Sequence, residues 1–189
     1  MAQKPSSAAA ALPATATAAE RANRIRLMIF DVDGVLTDGS LYFTAESDAM
    51  KSFNSLDGHG VKMLQSVGVQ TAIITGRKSG IVAARAKELG ITHLYQGVGD
   101  KTAALAGLLD VTGIAAAECG YMGDDWPDLA VMRRCGFAAA PANAHPEVIQ
   151  RVHWVAEARG GHGAVREVCD AMLRAQHRYD ARLATALGG

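Results

Sequence analysis

Apolar runs alternate with stretches of helical spacing along most of the chain. Five short apolar runs predict strands over residues 25–30, 69–75, 91–96, 119–123 and 136–140. Between them, apolar residues recur three and four positions apart, which is typical of helices, and glycines stand where those helices would end. This alternation predicts a doubly wound (Rossmann-like) α/β domain, in which helices wrap a parallel sheet.

Two parts of the chain depart from this alternation. Residues 40–54 contain two β-prone pieces around the polar sequence AESD, which predicts a β-hairpin projecting from the exit of the first strand. Residues 1–20 are rich in alanine and predict a disordered tail that passes into a short helix near Ala18. Residues 21–189 then predict one domain, which ends in a C-terminal helix beginning near Gly163.

Composition narrows the class of protein without identifying a partner. The 189 residues include 19 basic and 19 acidic side chains, so no net charge favours binding to nucleic acid or to a membrane surface. No apolar run has the length of a membrane span, and the alanine-rich start lacks the apolar centre of a signal peptide. Three cysteines without metal-binding or redox spacing predict reduced, buried thiols in a cytoplasmic protein.

Polar clusters follow four of the predicted strands. Asp31 and Asp33 follow the first strand, Thr75 ends the second, Lys101 follows the third, and the sequence GDDWPD at 123–128 follows the fourth. Because the carboxyl ends of parallel strands share one edge of the sheet, we expect these clusters to form one site. Each cluster alone is also typical of a turn or helix cap, so the prediction depends on their joint occurrence in this order.

The residue types in these clusters predict metal-dependent phosphoryl transfer. Several carboxylates at one edge stay ionised only beside a cation, and Mg²⁺ suits a site of carboxylates, waters and a substrate phosphate. One carboxylate can then attack phosphorus, while a second protonates the leaving oxygen and later activates water. A hydroxyl at Thr75 and an ammonium at Lys101 would stabilise the transferring phosphoryl group.

The order D-x-D, T-G, K and G-D-D-x-x-D resembles the phosphatases of the haloacid dehalogenase superfamily. The resemblance implies that Asp31 is the nucleophile and a metal ligand, and that Asp33 is the general acid/base and gives its backbone carbonyl to the metal. It also implies that Asp124 is the other carboxylate ligand of Mg²⁺, with Asp125 and Asp128 supporting the metal ligands and waters. The expected fold is therefore that of a haloacid dehalogenase-like enzyme.

Longer stretches resemble one family without a cap domain in this superfamily. Residues 38–70 and 77–100 are too short to hold a cap, and FDVDGVLTDGSLYF, KSFNSLDGHGVKML and YMGDDWPDLAVM resemble phosphatases of 3-deoxy sugar acids. The implied substrate is 3-deoxy-D-manno-octulosonate 8-phosphate (Kdo 8-phosphate), hydrolysed through an aspartyl-phosphate to supply Kdo for lipopolysaccharide synthesis. The implied assembly is a homotetramer, whose hairpins pack together and whose neighbouring chains cover each site. Besides Asp33 and Lys101, the implied substrate contacts are Asn54, Ser55, Leu56, Asp57, Gly58, Lys62, Arg77 and Arg85.

Three alternatives remain open from the sequence. A phosphatase of nine-carbon sialic or deaminoneuraminic acid 9-phosphates shares the capless plan, although those relatives carry glutamate where Arg77 stands. A phospho-receiver signalling domain shares the sheet, an aspartate, a threonine and a lysine, but a stable phospho-switch has no use for the acid/base that Asp33 supplies. The loop at 160–166 is either a simple helix start or a contact with a neighbouring active site.

Overall fold

A computed structural model describes residues 15–45 and 48–189 of the chain. Within those residues the strands are β1 (Leu27–Phe30), β2 (Tyr42–Phe43), β3 (Asp48–Met50), β4 (Gln70–Ile74), β5 (His93–Tyr95), β6 (Cys119–Met122), β7 (Phe137–Ala140) and β8 (Trp154–Val155). The helices are α1 (Ala18–Asn23), α2 (Ser55–Ser66), α3 (Gly80–Glu88), α4 (Lys101–Thr112), α5 (Trp126–Met132), α6 (Pro146–Ile149), α7 (Ala164–Ala175) and α8 (Tyr179–Ala186).

The central sheet is parallel and has the strand order β5-β4-β1-β6-β7-β8. The chain begins at the centre with β1, extends through β4 and β5 to one edge, and then returns to build the other half. In β1, Phe30 lies opposite Ile73 of β4 and Met122 of β6. The winding direction reverses between β1 and β6, and ligands of doubly wound sheets bind outside the carboxyl ends of the strands at such a point. The predicted doubly wound α/β fold is confirmed.

Both faces of the sheet are buried, which explains why β1 is an unbroken apolar run. Met28 and Phe30 pack in the layer that contains α2 and α7, whereas Leu27 and Ile29 pack with α4 and α5 on the other face. All four side chains are fully buried. A strand covered on both faces needs apolar residues at every position, and its last residue leaves the following Asp31 at the rim of the core.

The hairpin is the principal addition to the sheet. Strands β2 and β3 pair antiparallel and form their own two-stranded sheet, as predicted, while residues 46–47 of the connecting turn lie outside the described residues. Among the described residues, only this hairpin and α2 separate Asp38 from Gln70, and only α3 and β5 separate Arg77 from Asp100. No cap domain therefore stands over the end of β1 within the described part of the chain.

The ends of the chain differ in detail from the prediction. The proposed tail at 1–14 lies outside the described residues, and Ala18–Glu20, the last residues assigned to it, form the first turn of α1 after the capping residue Thr17. The prediction of one C-terminal helix is wrong. The helix α7 ends before His177, which has a φ of 55°, and the chain continues as the separate helix α8. None of the helices in the described residues combines the length and apolar character that crossing a membrane requires.

Candidate active site

The first aspartate of the site continues the hydrogen bonding of β1 beyond its last residue. The backbone N–H of Asp31 donates to the carbonyl of Met122 in β6, at 3.0 Å. The chain then makes a wide turn over Val32–Leu36, in which Gly34 takes a φ of 88°. The backbone N–H of Thr37 closes the turn on the carbonyl of Val32, at 3.0 Å. This turn fixes Asp31 and Asp33 at the switch point of the sheet.

Asp31 has a buried carboxylate, of which one oxygen pairs with a lysine and the other has no hydrogen-bond partner among the described residues. Its Oδ2 lies 2.9 Å from Nζ of Lys101, whereas its Oδ1 is buried and has no hydrogen-bond partner among the described residues. Burial is the main cause that raises the pKa of Asp31 to about 6, and the charge of Asp128 adds to it, while Lys101 opposes it. An unpartnered buried oxygen is costly, and a cation or an electrophile at Oδ1 would remove that cost.

Asp128 anchors the acidic cluster through four donors. Its Oδ1 accepts from Nζ of Lys101 at 2.6 Å and from the hydroxyl of Tyr121 at 2.9 Å. Its Oδ2 accepts from the backbone N–H groups of Asp124, at 3.1 Å, and Asp125, at 3.3 Å. The Asp128 side chain is only 1% exposed, so these four bonds satisfy it without water. It thereby holds the loop after β6 and the lysine in fixed positions.

The carboxylates meet the requirements of a hard divalent cation. One oxygen each from Asp31, Asp124 and Asp128 lies within 4.8 Å of the other two. Both oxygens of Asp128 already accept hydrogen bonds, so the carboxylates of Asp31 and Asp124 are the ones available to such an ion. Burial, followed by the charges of Asp128, Asp31 and Asp125, raises the pKa of Asp124 to about 7. This donor set of oxygens and excess of negative charge fit Mg²⁺.

The substitution Asp124→Asn is expected to stabilise the metal-free protein at pH 8. Because the pKa of Asp124 is raised from 3.8 to about 7, the folded protein keeps a proton that the unfolded chain has lost, and the free energy of unfolding falls as the pH rises through this window. Above this pH range Asp124 is ionised in the folded protein, and the full free-energy cost of burying its charge lowers stability. A neutral asparagine removes that cost. We expect a gain of about 2 kcal/mol, or about 5 °C in the thermal midpoint in EDTA at pH 8, and a much smaller gain at pH 5.

Asp110→Asn is the matched control, because Asp110 is exposed on α4, away from the acidic cluster. Its thermal midpoint should follow that of the unmodified protein at both pH values. A midpoint for Asp124→Asn at pH 8 that is unchanged or lower would show that the acidic cluster carries no such charge penalty.

Lys101 reaches the cluster from the first residue of α4. The carboxylate of Asp100 caps this helix by accepting from the backbone N–H groups of Thr102, at 2.8 Å, and Ala103, at 3.2 Å. Burial lowers the pKa of Lys101, but the charges of Asp31 and Asp128 outweigh burial and the pKa lies above its usual value. The ammonium therefore stays charged between the two carboxylates.

Thr75 follows β4, which pairs directly with β1. Its backbone N–H donates to the carbonyl of Tyr95 at 2.9 Å, its carbonyl accepts from Val98 at 3.1 Å, and the residue is buried. These two bonds fix the loop that continues to Arg77. The structure thus brings together, at one edge of the sheet, the clusters that the sequence placed after successive strands.

Asp33 faces two cations from different parts of the chain. Its Oδ1 forms an ion pair with Nζ of Lys51, and its Oδ2 lies 3.7 Å from Nε of Arg77. The guanidinium of Arg77 also stacks over the ring of Phe43 in the hairpin, 5.1 Å from its centroid. The sequence alone indicates no role for Lys51, because a lysine after a short β-prone run has no local signal that distinguishes it from a solvated lysine.

Some residues of the predicted substrate loop are exposed and others are buried. Asn54 caps α2 by accepting from the backbone N–H of Leu56, at 2.8 Å, while Ser55 and Leu56 are exposed. The carboxylate of Asp57, predicted to contact substrate, instead accepts from the backbone N–H groups of Gly163, at 3.3 Å, and Arg166, at 2.8 Å. At 1% exposure, the Asp57 side chain caps α7 rather than facing solvent. This contact joins segments about a hundred residues apart, which no local pattern indicates.

The other predicted substrate residues lie on α2 and α3. Gly58 lies in α2 against the guanidinium of Arg85, and Lys62 is exposed on the same helix. Arg85 bonds to Glu88 at 2.9 Å and to the carbonyl of Asn54 at 3.4 Å. Among the described residues, no hydrogen bond or ion pair joins Lys62 or Arg85 to the acidic cluster. Arg85 thus holds the start of α2 against α3.

The glycine-rich loop before α7 packs against the turn at Val32–Leu36 of the same chain. The backbone N–H of Gly161 donates to the carbonyl of Val35 at 3.0 Å. A Cβ at Gly160 would overlap the carbonyl of Gly34, so only glycine permits this approach. Arg166 pairs with Asp170, at 2.8 Å. The two glycines therefore hold the turn at Val32–Leu36 within one chain, a contact that the sequence pattern does not indicate.

Comparison with known proteins gives matches along most of the chain. A family model described as haloacid dehalogenase-like hydrolase matches residues 93–167. The 3-deoxy-D-manno-octulosonate 8-phosphate phosphatase KdsC of Escherichia coli (strain K12) is 45% identical over 168 residues, which cover 89% of this chain and 89% of that protein.

Two solved structures extend these matches to metal-bound proteins. The 3-deoxy-D-manno-octulosonate 8-phosphate phosphatase from Moraxella catarrhalis, in complex with magnesium ion, phosphate ion and Kdo, aligns with a TM-score of 0.86 at 43% identity over 89% of this chain and 97% of that chain. The cobalt-bound form of the deoxy-D-mannose-octulosonate 8-phosphate phosphatase from Haemophilus influenzae aligns with a TM-score of 0.82 at 40% identity over 84% of this chain and 93% of that chain.

Proposed function

Since this chain belongs to the haloacid dehalogenase-like hydrolases and, within them, to the family of 3-deoxy-D-manno-octulosonate 8-phosphate phosphatases, we propose that it hydrolyses Kdo 8-phosphate to Kdo and phosphate. The observation that carries this proposal is the buried, unpartnered Oδ1 of Asp31 beside Lys101 and Asp124. The relatives that share over 40% of its residues along most of its length support the substrate. The product Kdo would then serve lipopolysaccharide synthesis.

The reaction begins with attack by Asp31 on the phosphorus atom. Its carboxylate oxygen forms a bond to phosphorus, the ester P–O bond breaks, and the electron pair leaves with the sugar oxygen, which takes a proton from Asp33. The ammonium of Lys101 and the hydroxyl of Thr75 stabilise the charge on the phosphoryl oxygens. Asp31 is left as an acyl phosphate.

The second step regenerates the carboxylate. A water molecule gives its proton to Asp33 and attacks phosphorus, so that the bond from Asp31 to phosphorus breaks and its electron pair returns to the carboxylate. Asp33 therefore acts first as acid and then as base, and it needs one stable position for both transfers. The turn after β1 fixes the backbone of Asp33 close to Asp31, which keeps the acid/base near the nucleophile in both steps.

Mg²⁺ would be held by the carboxylates of Asp31 and Asp124 and by the backbone carbonyl of Asp33, with Asp125 and Asp128 supporting these ligands. When bound, it neutralises the clustered carboxylates and polarises the phosphoryl group. Asp128 already orders the loop for this purpose, since it accepts from the backbone N–H groups of Asp124 and Asp125.

The sugar acid would be bound by Arg77, which lies beside Asp33, together with residues of α2 and α3. Arg77 and Arg85 suit bidentate contacts to a carboxylate, and Lys62 adds a further positive charge. In place of the predicted loop, the start of α2 would complete this set through backbone groups, since the side chain of Leu56 offers only apolar contact and that of Asp57 is committed to α7. The proposed residues of this segment are Asn54, Ser55, Leu56, Asp57 and Gly58.

A panel of sugar phosphates assayed with Mg²⁺ tests the substrate. We expect kcat/KM for Kdo 8-phosphate to exceed that for sialic or deaminoneuraminic acid 9-phosphate by about tenfold or more, because a longer acid misplaces its carboxylate relative to Arg77. EDTA should abolish turnover of every member. A higher kcat/KM for a nine-carbon acid would refute the substrate assignment and leave the phosphatase mechanism intact.

We also propose that the chain works as a homotetramer. The hairpin exposes four large apolar side chains, and exposed apolar surface of this kind is typical of protein interfaces: Leu41, Tyr42, Phe43 and Met50. The end of β1 has no cap domain in the described residues, so neighbouring hairpins would supply its cover. Light scattering is expected to give about four times the 19.8 kDa of one chain, and a fully active monomer would refute this assembly.

A cytoplasmic location is part of the same proposal. The three cysteines are all free and buried, and burial raises the pKa of Cys119 to about 12, which makes it unreactive. Unpaired thiols are typical of proteins in a reducing compartment.

A further inference from the structure

Lys51 is a buried lysine whose partner is the proposed acid/base. It follows β3, where the hairpin returns to the domain, and its side chain is 2% exposed. Its ammonium forms an ion pair with Oδ1 of Asp33, the hydrogen-bond partner found for it among the described residues. A strongly hydrated ammonium is costly to bury, and here the compensating interaction is with Asp33.

The other cation beside Asp33 is placed differently. Arg77 lies farther away, at 3.7 Å from Oδ2, and its side chain is 39% exposed. Phe43 of the hairpin stacks on its guanidinium. Lys51 is therefore the cation that is enclosed by the protein, whereas Arg77 lies at the surface where a substrate arrives. The hairpin segment therefore contacts Asp33 directly through Lys51, and indirectly through Phe43, which stacks on Arg77.

We propose that Lys51 is a positioning residue for the acid/base step. It holds the Asp33 side chain in one position in both protonation states: the protonated acid accepts from the ammonium through its carbonyl oxygen while its O–H gives the proton to the leaving sugar oxygen, and the resulting carboxylate stays paired with Lys51 until it takes a proton from the attacking water. Because the Lys51 side chain is 2% exposed and that of Asp33 is 20% exposed, their ion pair is screened less than a surface pair and restricts the Asp33 side chain more strongly. This inference rests on the proposed two-step reaction through Asp31, and it predicts that loss of Lys51 slows proton transfer and leaves nucleophilic attack intact.

Two substrates with different leaving groups test this role in Lys51→Met. In 2,4-dinitrophenyl phosphate, attack by Asp31 breaks the P–O bond and the electron pair departs with a stable phenolate that needs no proton. Lys51→Met should therefore release one equivalent of dinitrophenolate per site in a rapid burst, followed by turnover about 10²-fold slower than in the unmodified protein. With Kdo 8-phosphate we expect no burst, a similar loss in kcat, and a KM within about threefold of the original.

Two further variants make the result specific. Lys87→Met removes an exposed lysine of α3 and should behave like the unmodified protein with both substrates. Lys51→Gln keeps a polar end that can donate to Asp33, so it should show the burst with a smaller loss, and it replaces Lys51→Met if circular dichroism shows that variant to be unfolded. Equal losses on both substrates without a burst, or no loss at all, would overturn the proposal.

The same experiment separates this inference from the proposed substrate. If the unmodified protein turns over dinitrophenyl phosphate but not Kdo 8-phosphate, the substrate assignment fails. The burst in Lys51→Met would still report whether Lys51 positions Asp33, because the phenolate is released at the acyl-phosphate step whatever the natural substrate is.

Discussion

Asp31→Asn is expected to abolish turnover, with kcat for Kdo 8-phosphate lowered by about 10⁴-fold or more. An amide cannot form the acyl phosphate, so both steps of the reaction lose their covalent intermediate. The substitution keeps the size of the side chain, and its amide oxygen can still accept from Lys101, which lies 2.9 Å from Oδ2 of Asp31. The loss should therefore appear in kcat without unfolding, as measured by steady-state assays alongside circular dichroism.

Asp38→Asn is the matched control for this prediction. Asp38 lies in the same loop, and its Oδ1 accepts from the backbone N–H of Ser40 at 2.8 Å, a bond that an amide oxygen can also accept. We expect kcat/KM to stay within about threefold of the original value, as for surface substitutions. Activity above a few per cent in Asp31→Asn, or an equal loss in Asp38→Asn, would contradict the assignment of Asp31 as nucleophile.

Gly34→Ala is expected to damage both the fold and the site. Gly34 has a φ of 88°, where a Cβ costs about 1 kcal/mol of folding free energy. A Cβ at this position would also lie 2.5 Å from Cγ of Asp124 and overlap its carboxylate. Asp124 must move away, and such a displacement of a proposed metal ligand should lower kcat/KM by about 10²-fold or more. A weaker apparent affinity for Mg²⁺, measured by titrating activity with the ion, should accompany the loss.

Gly39→Ala separates strain from the collision with Asp124. Gly39 has nearly the same φ, 86°, but a Cβ there would meet only the backbone of Gly34, with its nearest atom at 3.5 Å. Both variants should therefore lose similar stability in thermal unfolding, while Gly39→Ala keeps kcat/KM within about threefold. Equal losses of activity in the two variants would mean that strain in the turn, rather than the space beside Asp124, determines the effect.

The sequence indicated those parts of the fold that have a local physical signature. An unbroken apolar run such as β1 indicates a strand buried on both faces, and the alternation with helical spacing predicted the doubly wound sheet. The strand β8 was missed because it consists of two residues at the edge of the sheet, too few for any period to show. The break at His177 was missed because a φ of 55° at a residue other than glycine is decided by its surroundings.

The candidate site also has residues whose positions the sequence predicts and residues whose contacts it does not. The positions of Asp31, Lys101 and Asp128 could be predicted because parallel strands end at one edge, and the structure joins them by contacts of 2.6 to 2.9 Å. The contacts of Asp57 with α7 and of Lys51 with Asp33 could not, since each partner comes from a different segment. A buried aspartate capping a distant helix has the same local sequence as one that faces a ligand.

The most direct test of the account is to trap phosphate on the protein itself. When the unmodified protein is mixed with Kdo 8-phosphate labelled in its phosphate and Mg²⁺, and is then quenched in acid within milliseconds, we expect the label to be covalently attached to a single peptide at Asp31. The same treatment of Asp31→Asn should leave no label. Label on another residue, or rapid release of phosphate by the unmodified protein with no labelled species at any quench time, would contradict the proposed attack by Asp31.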